Sequence, residues 1–385
     1  MSNKKSPPPR GWSRLSKAKA KKLALAADTA IRKVLRVKRE ERVLIITNPE
    51  EDVLAISGAL FDAAERCGAD ACVVVQPTRA PLHMASEAVI HALRSEPEVI
   101  ISISADKLGK DPYGLVKPYR FKGAKGSWSH IFNALLGTGK SRAFWSPSVT
   151  LDTFIRTVPI DYTLLRRRAA KIKKRLDTAE RVHITAPGGT DIEIGLQGRV
   201  ATTDDGAFWE PGSGGNLPAG ETYISPANYD GEGVLVFDGS MSLADGSGAF
   251  VPSEPVFAEI KKGRVIRLRG GVDAKRFGKS LALGEMFAQD MAGQGGWNAK
   301  KVKSYKHNAK HLGELGIGLN PAARVTGKML EDEKIMNTCH IAIGSNYDND
   351  AEAFIHLDCL IKKPSIRVID AKGRSRLILE EGRIL

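Results

Sequence analysis

The feature that most constrains this 385-residue chain lies near its C-terminus, where acids and imidazoles sit inside apolar segments. The segments are Glu314-Leu-Gly-Ile-Gly-Leu-Asn-Pro321, Leu330-Glu-Asp-Glu-Lys334, Thr338-Cys-His-Ile-Ala-Ile-Gly-Ser-Asn-Tyr347 and Phe354-Ile-His-Leu-Asp-Cys-Leu-Ile361. The last has strand character, and alternation puts residues i and i+2 on one face, so His356 and Asp358 can aim at one point. Unpaired charge among apolar neighbours is costly, and a divalent cation removes that cost. Glu314, His340, His356 and Asp358 fall within 45 positions, which is the pattern of a metalloenzyme. His307 and His311 also have a metal-compatible i, i+4 spacing. Lys306 and Lys310 beside them favour a solvent-facing helix, so they stay outside the set.

Upstream, continuous apolar runs alternate with helical spacing. Arg42-Val-Leu-Ile-Ile-Thr47, Ala71-Cys-Val-Val-Val75, Glu98-Val-Ile-Ile-Ser102 and Arg142-Ala-Phe-Trp145 read as buried strands. Helices are expected at 15–37, 50–67, 85–94 and 127–136. This is the pattern of a parallel α/β sheet. Thr47-Asn-Pro-Glu-Glu51 follows the first strand without a GxGxxG fingerprint, which argues against a dinucleotide. After a helix over 161–176 the texture changes to short strands separated by Gly and Pro: 182–185, 190–194, 221–225, 233–237, 256–260 and 265–268. The expected architecture is an N-terminal parallel-sheet α/β domain (14–160) and a β-rich α+β metal-binding domain (161–385). A basic, Pro-containing flexible tail precedes them at 1–13. Gly212-Ser-Gly-Gly215 leads to Asn-Leu-Pro and not to a helix with Lys and Ser/Thr, so it reads as a flexible loop ahead of Glu221 and not as a phosphate loop. The stretch 273–312 reads as helical.

The net charge of +14 is concentrated: residues 1–40 hold 13 Lys and Arg against Asp28 and Glu40. That distribution weighs against a nucleic-acid-binding fold and suits a solvated tail. Cys67, Cys72, Cys339 and Cys359 form no CxxC pair, which is the usage of a reducing cytoplasm. No apolar run approaches the length of a membrane span, and no signal core is evident, so a cytoplasmic protein is expected.

With Asn216-Leu-Pro-Ala-Gly-Glu221 added, the order of motifs resembles the thermophilic metalloprotease (aminopeptidase T) family. A glutamate follows Asn-Leu-Pro-Ala-Gly, a second opens Glu-x-Gly-x-Gly-x-Asn-Pro, a histidine lies in Thr-x-His-x-Ala-x-Gly with a tyrosine seven residues on, and His-x-Asp closes the set. The resemblance implies metal ligation by Glu221, Glu314, His340, His356 and Asp358, with Tyr347 as catalytic helper. Glu333 is a candidate for the proton-shuttling base, its competing reading being a helix-capping or surface charge. Five such ligands suit one or two divalent ions, commonly Zn, Co or Mn.

The implied activity is a cytoplasmic metallo-aminopeptidase acting through a metal-activated water on a peptide, in a homodimer with no membrane partner. Only 15 residues separate His340 from His356, fewer than expected of the peptidases, and the interval from Glu221 to Glu314 is longer. The alternative, also implied by the resemblance, is a single-metal enzyme acting on a small molecule. That could be an Fe(II) ring-cleaving dioxygenase of the 2,5-dihydroxypyridine type or an aromatic aminohydrolase. The presence of both Glu221 and Glu314 favours hydrolysis.

Overall fold

A computed structural model of the chain describes residues 15–80, 83–124, 126–293 and 297–385. The basic tail expected at 1–13 lies outside the described residues. The fold is mixed α/β, with one parallel sheet flanked by helices and two antiparallel sheets. It forms two compact units. One runs up to Tyr162 and takes back Gly206–Ala219, and the other comprises Thr163–Asp205 and Gly220–Leu385.

In the first unit, five parallel strands lie in the order Asp70–Val75, Arg42–Thr47, Val99–Ser104, Arg142–Pro147 and Gly214–Asn216. Right-sized crossovers are supplied by Glu51–Arg66 and Glu87–Arg94, both initiated by an acidic first turn that suits the helix dipole. Val99–Ser104 is buried at every position, as a central parallel strand covered on both faces must be. Asp70–Val75, at the edge, is only partly buried. The fifth strand corrects one expectation. Residues within Gly212–Gly215 are not a free loop: Gly214 pairs with Ala143 and Asn216 with Trp145. A Cβ on Gly214 would lie 2.8 Å from the Ala143 carbonyl oxygen, so close strand approach accounts for the glycine. A three-residue strand without apolar side chains carries no periodicity to read. It also means that the single cut expected at 160/161 is replaced by a chain that returns to the first unit for Gly206–Ala219 before continuing.

The second unit is built on two antiparallel sheets. An eight-stranded sheet orders Arg264–Arg269, Val256–Lys261, Gly231–Phe237, Asp191–Gly195, Arg181–Thr185, Ser365–Ile369, Ser375–Glu380 and Arg383–Ile384. A seven-stranded sheet orders Ala249–Phe250, Met241–Ser242, His356–Lys362, Thr338–Gly344, Leu312–Gly318, Glu221–Ile224 and Thr202–Asp204. Gly271–Gly293 and Ala299–Asn308 are helices within the stretch 273–312 expected to be helical. Among the described residues, no helix is long and apolar enough to cross a membrane.

Candidate metal centre

The seven-stranded sheet explains how residues far apart in sequence converge. Across its central strands, Gly318 pairs with Glu221, Gly316 with His340, Ala342 with both Glu314 and Asp358, and Gly344 with His356. Directly paired residues share a face, so Glu221, Glu314, His340, His356 and Asp358 all project from one side. Asp204, paired with Glu221 at the sheet edge, joins them. The opposite side carries Leu315, Ile317, Cys339, Ile341, Ile343, Leu357, Cys359 and Ile361, all buried. The strand Thr338–Gly344 is therefore buried throughout, with apolar packing on one side and ionisable groups on the other. Both cysteines face away from the ionisable cluster, as ordinary buried thiols.

Small residues make room for the large ones. A Cβ on Gly316 would come within 2.1 Å of the His340 ring atoms Cε1 and Nε2, so the imidazole lies directly over that glycine. A β-bulge between Leu312 and Glu314 sets the aim of Glu314. Leu312 pairs with Ile343 on the apolar side, and regular alternation would send Glu314 the same way. The extra residue, Gly313, lets the strand switch sides.

Within the cluster, His340 Nε2 is 3.0 Å from Glu314 Oε1 and 3.6 Å from Glu221 Oε2. His356 Nε2 is 3.4 Å from Glu314 Oε2 and 3.3 Å from Asp358 Oδ1. The two oxygens of Glu314 thus face different histidines. His356 Nδ1 donates to the Ser345 carbonyl at 2.8 Å, an orientation that leaves Nε2 toward the carboxylates. Among the described residues, two groups have ligand atoms close enough to hold an ion: Glu221, Glu314 and His340, and Glu314, His356 and Asp358. Glu314 belongs to both. Glu221 Oε2 is buried without a hydrogen-bond partner, which a cation would satisfy.

All five residues named as ligands from the sequence are therefore gathered at one place. Tyr347 lies beside them, its ring centroid 5.1 Å from that of His356 and 5.2 Å from that of Tyr223. Crowding at the hydroxyl, then the charges of Glu314 and Asp358, push the phenol above its ordinary value. With 59% of the residue exposed, water screens much of that push. Glu333 is neither a surface charge nor a member of either ligand group. Its Oε1 is 2.7 Å from Lys334 Nζ, and burial drives its pKa to about 8 despite that neighbour.

Sequence reading missed three participants. Lys334 is fully buried, and its ammonium contacts Glu221 Oε1 at 2.5 Å, Glu333 Oε1 at 2.7 Å and Asp204 Oδ2 at 3.2 Å. Burial opposes its charge, but Glu221, Glu333 and Asp204 together raise its pKa well above the ordinary lysine value. Asp204 and Tyr223 are the other two. Burial lifts Asp204 to about 7 against the pull of Lys334. For His340, burial disfavours the charged form, yet the hydrogen bond to Glu314 and the charges of Glu314, Glu221 and Asp358 outweigh it and give a pKa of about 9. These shifts report an excess of negative charge in a dry space. His311 does not lie on the solvent-facing helix that Lys306 and Lys310 suggest: it follows the helix, which ends at Asn308, and is itself buried. Burial lowers its pKa to about 4, and it belongs to neither ligand group.

A family model described as NicX, 2,5-dihydroxypyridine 5,6-dioxygenase, matches residues 149–343, just over half of the chain. The chain belongs to this family. The span includes Glu221, Glu314 and His340 and stops before His356 and Asp358. No curated protein matches. Among solved structures, 2,5-dihydroxypyridine dioxygenase from Pseudomonas putida KT2440 shares the fold with a TM-score of 0.69 and 18% identity, over 95% of this chain and 97% of that one. Wild-type AmpT from Thermus thermophilus does so with a TM-score of 0.65 and 18% identity, over 95% and 99%. The resemblance read from the motifs, to the aminopeptidase T family with its dioxygenase relatives, is borne out. The NicX family is described by an enzyme activity, and these two solved structures match the chain at equal identity.

Proposed function

We propose that this member of the NicX family is a metal-dependent hydrolase that releases N-terminal residues from peptides, with Glu314 shared between two divalent ions. The observation that carries the reading is the division of the two Glu314 oxygens between His340 and His356. Glu221 and His340 would hold one ion with Glu314, and His356 and Asp358 the other. Charge supports it. Among the described residues, Asp204, Glu221 and Glu333 contact the Lys334 ammonium while Glu314 and Asp358 face the histidines, and two dications with neutral imidazoles would balance the negative charge that remains. Bound there, Zn, Co or Mn would supply Lewis acidity and a water acidic enough to be hydroxide near neutral pH.

The protein's own groups supply the rest. The Ser345 carbonyl holds the His356 tautomer, and the glycine-lined floor fixes the imidazole of His340. Tyr347 and Tyr223 form an aromatic wall from which the Tyr347 hydroxyl can donate to an oxyanion. Glu333, outside both ligand groups, is the carboxylate left to move a proton.

A second reading is favoured by the family model, whose description is ring cleavage by a dioxygenase. A 2-His-1-carboxylate iron site requires both imidazoles on one ion, whereas here each is grouped with carboxylates around Glu314. The test is anaerobic. Protein loaded with Zn, Co or Mn should release amino acids from dipeptides without oxygen. Oxygen uptake with 2,5-dihydroxypyridine and Fe(II), with no amino acid released from any dipeptide, overturns the hydrolase.

A further inference from the structure

The two ligand groups differ in one respect that the sequence did not reveal. Among the described residues, no ammonium contacts Glu314, His356 or Asp358. In the other group, Glu221 already gives one oxygen to Lys334 at 2.5 Å, and its Oε2, 3.6 Å from His340 Nε2, has no hydrogen-bond partner. Lys334 is not a passing neighbour. It is fully buried, and its three protons match three carboxylate oxygens, those of Glu221, Glu333 and Asp204. Exchanging these bonds for water would require opening the sheet edge, so the ammonium is a fixed part of the cluster.

We infer that Lys334 is a built-in cation that makes the two ion sites unequal. The site of Glu314, His356 and Asp358 fills first and tightly. The site of Glu221, Glu314 and His340 fills second and weakly, because an incoming dication must share Glu221 with an ammonium and bind beside its positive charge. The partition of Glu221 is asymmetric by construction: Oε1 belongs to the lysine and Oε2 to the ion. Occupancy of the second site, and with it completion of the centre, then follows the free metal concentration while the first ion stays in place.

This inference rests on the two-ion reading, and metal titration separates the two. Chelator-treated full-length protein is titrated with Zn²⁺ by calorimetry, with bound metal counted after gel filtration. Wild-type protein should show two steps, the second at least about tenfold weaker. Lys334→Met, checked for folding by circular dichroism, should tighten the second step by about tenfold or more, because the competing charge is gone. The wild-type titration stands as a test by itself if the variant does not fold. A variant that takes two ions where the wild type takes one supports the inference in its strongest form. Two ions bound with equal affinity in the wild type overturn the role of Lys334 and leave the two-ion reading standing. One ion per chain at saturation in both proteins overturns the two-ion reading and the inference with it.

Discussion

Val99–Ser104, at the centre of the parallel sheet, and Thr338–Gly344, at the centre of the seven-stranded sheet, are both buried at every position. The first achieves this with Val-Ile-Ile-Ser-Ile-Ser, whose side chains are covered on both faces. The second, Thr-Cys-His-Ile-Ala-Ile-Gly, spends one face on a histidine flanked by carboxylates. The first unit also buries a charge, Arg142, but pairs it locally with Glu41 at 2.6 Å. The second unit, among the described residues, gathers five carboxylates with the Lys334 ammonium and two histidines. Complete burial by itself therefore says little about what a strand is for. What distinguishes the two is whether the buried polar groups satisfy one another or remain available to a further cation.

The sharpest way to break that comparison is at Lys334. Removing it as Lys334→Ala leaves Glu221, Glu333 and Asp204 without their counter-charge, and should cost about 3–5 kcal/mol in urea unfolding of metal-free protein. Added Zn²⁺ should restore part of that loss. The matching change in the apolar strand, Ile101→Ala, should cost about 2–5 kcal/mol through the cavity it leaves, and metal should restore none of it.

The two units should also answer pH with opposite sign. In metal-free protein His340 and Glu333 have raised pKa values, about 9 and about 8, so the folded state binds more protons than the unfolded state. Their contribution is fully present at acid pH and declines as pH rises from about 4.5 to about 9. In the first unit Glu98, held at about 2 mainly by its bond to Arg42, contributes above the usual carboxylate range and loses that contribution as pH falls through about 2. Unfolding monitored in each unit at pH 6 and pH 9, with chelator, should show the second unit weakened at pH 9. A second unit equally stable at both values would contradict these shifts.

A smaller effect on stability, with a larger one on chemistry, is expected for Gly316→Ala. The added methyl must displace the His340 ring, so metal affinity should fall about 10–100-fold by calorimetry while the fold persists. The smallest change is expected at Arg199, whose guanidinium is 2.9 Å from Asp350 and 3.6 Å from Asp348 in the segment that carries Tyr347. Arg199→Ala should cost at most about 1 kcal/mol and raise hydrogen exchange in residues 345–355.

Much of this was legible in the chain, for identifiable reasons. Continuous apolar runs fixed the parallel sheet, because strands covered on both faces need apolar side chains throughout. His356 and Asp358 could be paired by alternation alone. Glu314, His340 and Glu221 could not, since they lie on separate strands, and only the order of motifs linked them. Lys334 was hidden by its company: Glu-Asp-Glu-Lys reads as a solvated charge run, and nothing local says that the run turns inward. Asp204 was equally silent, because its meaning comes from pairing with Glu221 at a sheet edge. Gly214–Asn216 offered no apolar side chain to read.

Gly313 carries a consequence for how such a chain can change. Leu312 and Glu314 are two residues apart yet serve opposite sides of one sheet, and the single extra residue between them supplies that half-cycle of phase. Its position allows no side chain, since a Cβ would meet the Ser345 carbonyl oxygen at 2.3 Å. Losing the residue restores regular alternation and forces a choice between stranding Glu314 in the apolar layer and driving Leu312 among the carboxylates. The Leu312–Gly318 strand is thus a length-locked segment. Changes in length are better accommodated in stretches such as Gly271–Gly293 and Ala299–Asn308, helices outside the paired strands of the site, where residues can be gained or lost without shifting its phase.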